Sequence, residues 1–325
     1  MKKASLKSFP GHNKLKKIII LIFLFVFILE TLVYSHWAYS LKGAETNIED
    51  PSPEYFYSML YDTGRLVSLN LNTSQKADLA EINASLFSNR NTTCLVLMYH
   101  NFYTSGPRKG GYYVRIDNFQ KQLEILQELS FKPITVEDLY YFFKFNKKIP
   151  ERSVILTFDD GFKSFNLVYP LIKQYKFKCV LSLITGYIGS VWALSKDDLL
   201  RFKKEGFVEF ASHTSKLHNK FKENLEKKNY NNIKWDLEKS KEFFQKELGY
   251  KVIAFTYPWG YGSTDKELRK ILEDKGFLIG FDIWRRKVNV AHDDPLSVSR
   301  IDISETNLND NPGKFREIIE SLIKK

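Results

Sequence analysis

The sequence predicts an α/β protein of parallel strands, of the β/α barrel type, behind an amino-terminal membrane segment and a stalk. Three observations carry that expectation. From about residue 92 onward, short apolar runs alternate with amphipathic helical patterns. The unusual polar residues of this region stand at the carboxyl ends of those runs. Ahead of it, the basic "KLKK" precedes twelve unbroken apolar residues, Ile18–Leu29.

The alternation opens with the strand Thr93–Met98, then the helical "DNFQKQLEILQEL" and the short run Phe131–Ile134. "TVEDLYYFFKF" leads to Val154–Phe158, "SFNLVYPLIKQY" to Lys178–Ile184, and "SKDDLLRFKKE" to Phe207–Ser212. The long "KWDLEKSKEFFQKEL" precedes Val252–Tyr257, and "TDKELRKILEDKG" precedes Phe277–Ile283, with Val298–Ile303 as the last strand. Strand, helix, strand in this order argues for parallel strands joined by crossover helices. Seven or eight such units in roughly 230 residues suit a barrel better than an open sheet; a doubly wound sheet is the alternative.

Residues 1–40 read as the basic flank and membrane segment, 41–91 as a polar extracytoplasmic stalk carrying "EDPSPE", and 92–325 as the domain that holds the strand–helix alternation. A basic flank before an apolar run fits a secretion signal, with the lysines held inside. Twelve residues are short for a span of about 20, but Lys17–Trp37 together reach that length as an uncleaved signal anchor. Cleavage near "AYS" (Ala38–Ser40) is the alternative. On either reading the bulk of the protein lies outside the cytoplasmic membrane, tethered to it or secreted and surface-associated.

Net charge is +11, yet the first 17 residues hold six lysines and no acid, so the rest carries only +5. That modest excess gives no reason to expect nucleic acid as a partner. The two cysteines, Cys94 and Cys179, each sit inside an apolar run, which suits buried free thiols and excludes a disulfide framework or a cysteine zinc site.

In parallel β/α architectures, ligands gather at the carboxyl ends of the strands. Here Tyr99 and His100 follow the first strand, and Asp159-Asp160-Gly161 ends "VILTFDDGF". "HTSKLH" supplies His213 and His218, and "YPWGYG" follows Thr256. Asp-Gly alone reads as a turn, and a lone histidine as a structural residue. Histidines five apart lie roughly 140° apart around a helix, so they converge only in a loop or at a helix start. Two histidines plus a carboxylate make a common metal-ligand set. Two adjacent carboxylates would raise one another's pKa unless a cation compensates; one aspartate would then hold the metal and the other act as a base. Trp259 and Tyr261 offer flat faces for a sugar ring beside that site, and Trp284, after "GFLIGFDI", is a similar wall.

"TFDDGF", "SHTSKLH" and "YPWG" together resemble the successive motifs of the polysaccharide deacetylases with a NodB-type domain (carbohydrate esterase family 4), over roughly residues 92–310. The resemblance implies a distorted (β/α) barrel of about seven strands that hydrolyses N-acetyl groups on amino-sugar polymers. It implies a divalent metal, usually Zn2+, held by Asp160, His213 and His218, with Asp159 as catalytic base. The Tyr257 backbone N–H would serve the oxyanion hole. Three departures stand out: histidines five rather than four apart, no arginine in "TYPWG", and no clear late leucine-histidine motif, since "AHDDPL" with His292 reads differently. All three are similar to the branch that deacetylates poly-β-1,6-N-acetylglucosamine of biofilm matrices, which implies His100 as general acid. The substrate would be an amino-sugar polysaccharide, the membrane a partner through the amino terminus, and an exopolysaccharide synthase or export machinery a further one. A cell-wall or peptidoglycan N-deacetylase is the nearest alternative, and a non-catalytic carbohydrate-binding protein the alternative of another class.

Overall fold

A computed structural model describes residues 92–106, 112–145, 147–283, 287–288, 293–303 and 311–323. The membrane segment and stalk expected over 1–91 lie outside the described residues. Among the described residues no helix is long and apolar enough to cross a membrane.

The first strand is β1 (Thr93–Tyr99), buried along its whole length. A small parallel pair that the sequence did not announce follows, β2 (Asn101–Tyr103) and β3 (Tyr113–Arg115). The remaining strands are β4 (Lys132–Pro133), β5 (Arg152–Phe158), β6 (Cys179–Leu183), β7 (Val208–Ser212), β8 (Ala254–Thr256), β9 (Ile279–Phe281) and β10 (Ile301–Asp302). Each of the eight expected strands is present, most of them shorter than their apolar runs.

All pairings in the main sheet are parallel, in the order β10-β1-β5-β6-β7-β8-β9. β4 continues the β6 edge of β5, pairing Ser153 and Val154 where β6 does not reach. Strand order runs round without the reversal that a doubly wound sheet requires. The circuit closes thinly: Val298, just ahead of β10, forms a single parallel bridge with Phe281 of β9. The result is a distorted barrel of seven strands with β4 at its flank.

The helices are α1 (Ile116–Glu128), α2 (Val136–Phe145), α3 (Phe165–Gln174), α4 (Lys196–Glu205), α5 (Phe221–Glu226), α6 (Tyr230–Leu248), α7 (Lys266–Asp274) and α8 (Pro312–Ile323), and α1, α3, α4 and α6 cover the outside of the sheet. Strand periodicity of two divides the core. Leu95, Leu97, Val154, Leu156 and Phe210 face outward against Phe119, Val168, Phe202 and Leu237 of the helices. Val96, Ile155, Val180, Ala211 and Ala254 face inward, where α2 fills the interior with Leu139, Tyr140 and Phe142. Above this apolar plug the inward positions turn polar, with a Ser182–Thr256 hydroxyl pair at 2.7 Å and Thr157 donating to the Leu97 carbonyl at 3.0 Å. The polar storey lies toward the carboxyl ends of the strands.

Two local devices fix this arrangement. Gly280 of β9 admits the returning 295–298 segment, because a Cβ there would stand 2.5 Å from the Leu296 carbonyl oxygen. Helix α2 starts on a capping box, the Asp138 N–H donating to Thr135 Oγ1 at 2.9 Å while Thr135 N–H donates to Asp138 Oδ2 at 3.1 Å. Its first N–H, from Val136, donates to Glu209 of β7 at 3.0 Å. Both cysteines are free and buried.

Burial pushes the Glu209 carboxyl up to about 7, against the Val136 hydrogen bond and Lys178, which pull it down. A carboxyl raised on folding stabilises the fold below its unfolded pKa and loses that contribution as pH rises through the folded value. Glu209→Gln keeps an acceptor for Val136 and removes the titration. Relative to the parent, its stability should improve by about 2 kcal/mol between pH 4 and pH 8, read from urea midpoints. An unchanged difference across that range would place the Glu209 charge in water.

Candidate active site

The carboxyl ends of β1, β5, β7, β8 and β10 open into one cleft of about 300 Å3, lined by His100, Asp159, Asp160, His213, His218, Tyr257, Trp259 and Arg300 among others. The strands deliver these residues, and the turns after them aim the side chains. Each of the three motif loops bends at a non-glycine residue in the left-handed region: Asp160 (φ 71°), Thr214 (φ 76°) and Trp259 (φ 57°). Such residues cost about 1–3 kcal/mol each and persist where surrounding structure over-determines them. Asp160 is followed by Gly161 at φ 73°, so two successive left-handed residues turn the adjacent carboxylates into one site.

The histidine loop has its own clamp. Asp236 of α6, 1% exposed, accepts backbone N–H groups from Ser215 (2.7 Å), Lys216 (2.7 Å) and Leu217 (3.0 Å). That carboxylate fixes the five-residue spacing in a loop rather than a helix. His213 Nε2 and His218 Nε2 consequently stand 3.1 Å apart, and each lies 3.5 Å from Asp160 Oδ1.

The protonation of this trio follows from its neighbours. His213 Nδ1 lies 2.8 Å from the Thr256 carbonyl, which only accepts, so Nδ1 carries the proton and Nε2 a lone pair. His218 Nδ1 donates in the same way to Asn219 Oδ1 at 3.1 Å. Burial, with His218 beside it, pushes His213 down to about 3, and burial lowers His218 as well, so both rings are neutral near pH 7. Burial and the charge of Asp159 push the Asp160 carboxyl up to about 6, against an opposing pull from His100. Asp160 Oδ1 is buried and has no hydrogen-bond partner among the described residues. Two lone pairs and a carboxylate oxygen thus face one another with no proton between them. Asp160, His213 and His218 therefore fit a bound divalent cation, and they form the one group of ligating atoms of this kind among the described residues.

Asp159 is held differently. Its Oδ1 accepts from Arg300 Nη1 at 2.8 Å, with side chains 2% and 0% exposed. Arg300 is itself oriented by Thr157 Oγ1 at 3.1 Å and the Asp282 carbonyl at 3.0 Å. Burial alone would raise the Asp159 carboxyl, but Arg300, together with His213 and His100, outweighs it and holds the group well below the usual carboxylate range. Two neighbouring aspartates are thus set apart, one an oriented anion and the other in need of a cation.

His100 borders the same cleft, edge-on to Tyr112 at 4.9 Å, and its buried Nδ1 has no partner among the described residues. Trp259 is 54% exposed in the wall, 5.5 Å from the His218 ring. Tyr261 is not in that wall: the turn carries it beneath Lys222, whose Nζ sits 4.8 Å over its ring. Trp284 and His292 lie outside the described residues. The expected oxyanion role of the Tyr257 N–H does not hold. That N–H donates to the Phe281 carbonyl at 3.1 Å within the barrel, and the fully buried phenol donates to the Leu296 carbonyl at 2.8 Å. Two residues on, the Trp259 N–H takes no acceptor among the described residues.

Arg300, Asp236 and Tyr112 were not found by reading the sequence. Arg300 stands in "VSRID", where the basic residue interrupts an apolar strand, a signal that was there to be used.

Comparison with known proteins agrees with this geometry. The family profile described as polysaccharide deacetylase matches residues 146–279. A poly-beta-1,6-N-acetyl-D-glucosamine N-deacetylase of Staphylococcus aureus (strain N315) is 28% identical over 303 residues, 90% of this chain and 94% of that protein. Its counterpart in strain MRSA252 is 30% identical over 213 residues, 63% of this chain and 72% of that protein. The Streptococcus pyogenes deacetylase PplD, solved in complex with acetate, shares the fold with a TM-score of 0.61 at 23% identity, over 72% of this chain and 100% of that one. With that family profile and a relative of this identity and coverage beside a cleft of matching chemistry, the chain belongs to the polysaccharide deacetylase family, hydrolases of the amide bonds of N-acetylated polysaccharide.

Proposed function

We propose that the protein removes acetyl groups from an extracellular β-1,6-linked N-acetylglucosamine polymer of a biofilm matrix, and that it needs a divalent cation, Zn2+, to do so. One observation carries the chemistry: the proton-free trio of Asp160, His213 and His218 beside the Arg300-held anion of Asp159. The polymer is supported by the names of the staphylococcal relatives, and by the three motif departures noted in the sequence. The basic flank and apolar run at Ile18–Leu29 support a location outside the cytoplasmic membrane, anchored or released.

Asp160, His213 and His218 hold the cation, which when bound acidifies water and polarises the acetyl carbonyl. Asp159, fixed by Arg300, takes a proton from the attacking water as its oxygen bonds to the carbonyl carbon. The Trp259 N–H, in the cleft wall and without an acceptor, donates to the developing oxyanion, in place of Tyr257. His100, protonated, gives its proton to the nitrogen as the C–N bond breaks, because an amine leaves poorly as an anion. One acetamide and one water become acetate and a free amine.

Acetate release from zinc-loaded protein and β-1,6-linked N-acetylglucosamine oligomers tests this reading. Turnover should stop on chelation and return with zinc, and Asp159→Asn should lower it by about 10²–10⁴-fold. Release from β-1,4-linked wall glycan alone would transfer the assignment to a cell-wall deacetylase. Binding without release from either would favour a carbohydrate-binding protein.

Two residues away from the reacting atoms have separable effects. Asp236→Asn replaces one of the two accepting oxygens by an N–H2 that opposes one or two of the three N–H donors, so zinc affinity should fall by about 10–100-fold in a competition titration. Unaltered affinity would show that the histidine loop holds itself. Arg300→Met leaves Asp159 a buried, unpaired charge and should cost about 3–5 kcal/mol of stability. Asp159→Asn in the same background should recover most of that loss, which calorimetry reads directly.

A further inference from the structure

Beside the cleft, on the Asp160 side, stands a second aromatic surface that the chemistry above does not use. It begins with Phe162, half-buried in the cleft wall two residues after Asp160. The Trp192 ring lies 5.4 Å from Phe162, and Tyr187 lies 5.5 Å from Trp192. Trp192 is 41% exposed and Val191 94%, so this apolar surface faces solvent at the mouth of the site.

The surface is a built one. The Lys163 N–H donates to the Trp192 carbonyl at 2.8 Å, and the Leu194 N–H to the Gly161 carbonyl at 2.9 Å. Phe162 and Ala193 thereby form an antiparallel bridge, which stitches the Trp192 loop to the turn that carries both aspartates. Within the loop, the Gly189 N–H donates to the Leu194 carbonyl at 2.8 Å, and the Ala193 N–H to the Ser190 carbonyl at 3.1 Å. Asn101 stands in the cleft wall on the same side. Its Oδ1 accepts both the Phe102 N–H, at 3.0 Å, and the Ser164 hydroxyl. With that oxygen engaged, the amide is oriented and its N–H2 is the group left for a ligand.

We propose that Phe162, Trp192 and Tyr187, with the Asn101 amide, form a subsite for the pyranose ring next to the one being deacetylated. The proposal deepens the deacetylase reading and rests on it. A sugar ring is apolar on its C–H faces and polar at its rim, so it needs a flat aromatic face with a donor at the edge. Phe162 makes the surface continuous with the cleft, which selects the same polymer over an unrelated protein as its occupant. Trp259 stands beside His218 and Trp192 beside Phe162, so the cleft meets aromatic surface at two of its lining residues. The enzyme should therefore prefer oligomers long enough to reach both.

The test uses zinc-loaded protein with β-1,6-linked N-acetylglucosamine oligomers of one to five units, measuring KM and kcat for acetate release and, separately, Kd by calorimetry. For the parent, affinity should strengthen by roughly tenfold once the neighbouring ring is present. Trp192→Ala should flatten that dependence on length, Trp192→Phe should restore most of it, and Trp235→Ala, exposed on α6 outside the cleft, should follow the parent. A parent without length dependence, or a Trp192→Ala protein that keeps it, would overturn the subsite. Length-dependent binding that requires Trp192, with no acetate released from any oligomer, would support the subsite and overturn the deacetylation reading instead.

Discussion

A buried charge pair holds this molecule's chemistry and its architecture together. Arg300 and Asp159 meet at 2.8 Å with almost no solvent around either. Removing two ions from water costs several kcal/mol each, and their attraction offsets this only where hydrogen bonds satisfy the remaining groups. Thr157 and the Asp282 carbonyl provide two such bonds to the guanidinium, Nη2 having no partner among the described residues, so the ends of β5 and β9 and the segment before β10 must be in register before the pair is tolerable. Arg300 precedes β10, the strand that closes the barrel against β1, and Asp159 follows β5, on the other side of β1. The Asp159 carboxylate is oriented only when the barrel is shut. Gly280 matters for the same reason, since it lets the segment leading to Arg300 lie against β9.

The neighbouring aspartate shows the opposite use of burial. Asp160 Oδ1 has no hydrogen-bond partner among the described residues, and two neutral imidazoles turn their lone pairs toward it. Adjacent residues with the same chemistry are thus separated by what surrounds them: one made a settled anion by arginine, the other left for a metal. Left-handed backbone at Asp160, Thr214 and Trp259 is the mechanical counterpart. It lets loops of few residues turn side chains back over the mouth, a strain that a rigid parallel barrel sustains.

Much of this was legible in the sequence because parallel strands are apolar on both faces and their ends are abrupt. The alternation of runs located all eight main strands, and "TFDDGF" with "SHTSKLH" located the four residues around the proposed metal. Strand ends were overestimated at Val252–Tyr257 and Phe277–Ile283, where the strands run only over Ala254–Thr256 and Ile279–Phe281 and the flanks keep single backbone bonds such as Tyr257 N–H to the Phe281 carbonyl. Longer-range facts escaped. Arg300 lies 141 residues from Asp159, and both it and His100 fall outside the segment that the family profile matches. Asp236 reads as one polar residue on a long amphipathic helix, and only the fold brings it beneath the histidine loop. The Tyr257 assignment failed because a motif fixes which residues are near, whereas the ladder decides which N–H is already spent.

Helix α2 has a consequence for how a polymer meets this enzyme. Its aromatic side chains fill the lower half of the barrel, and Glu209 pins its first turn there. With α2 there, the described residues leave a glycan chain no passage along the barrel axis, so it would lie across the mouth and arrive and depart sideways. A site approached from the side has no use for a free end. Interior units of a polysaccharide chain are then as accessible as terminal ones, and the pattern of modification along the chain is set by where the enzyme lands.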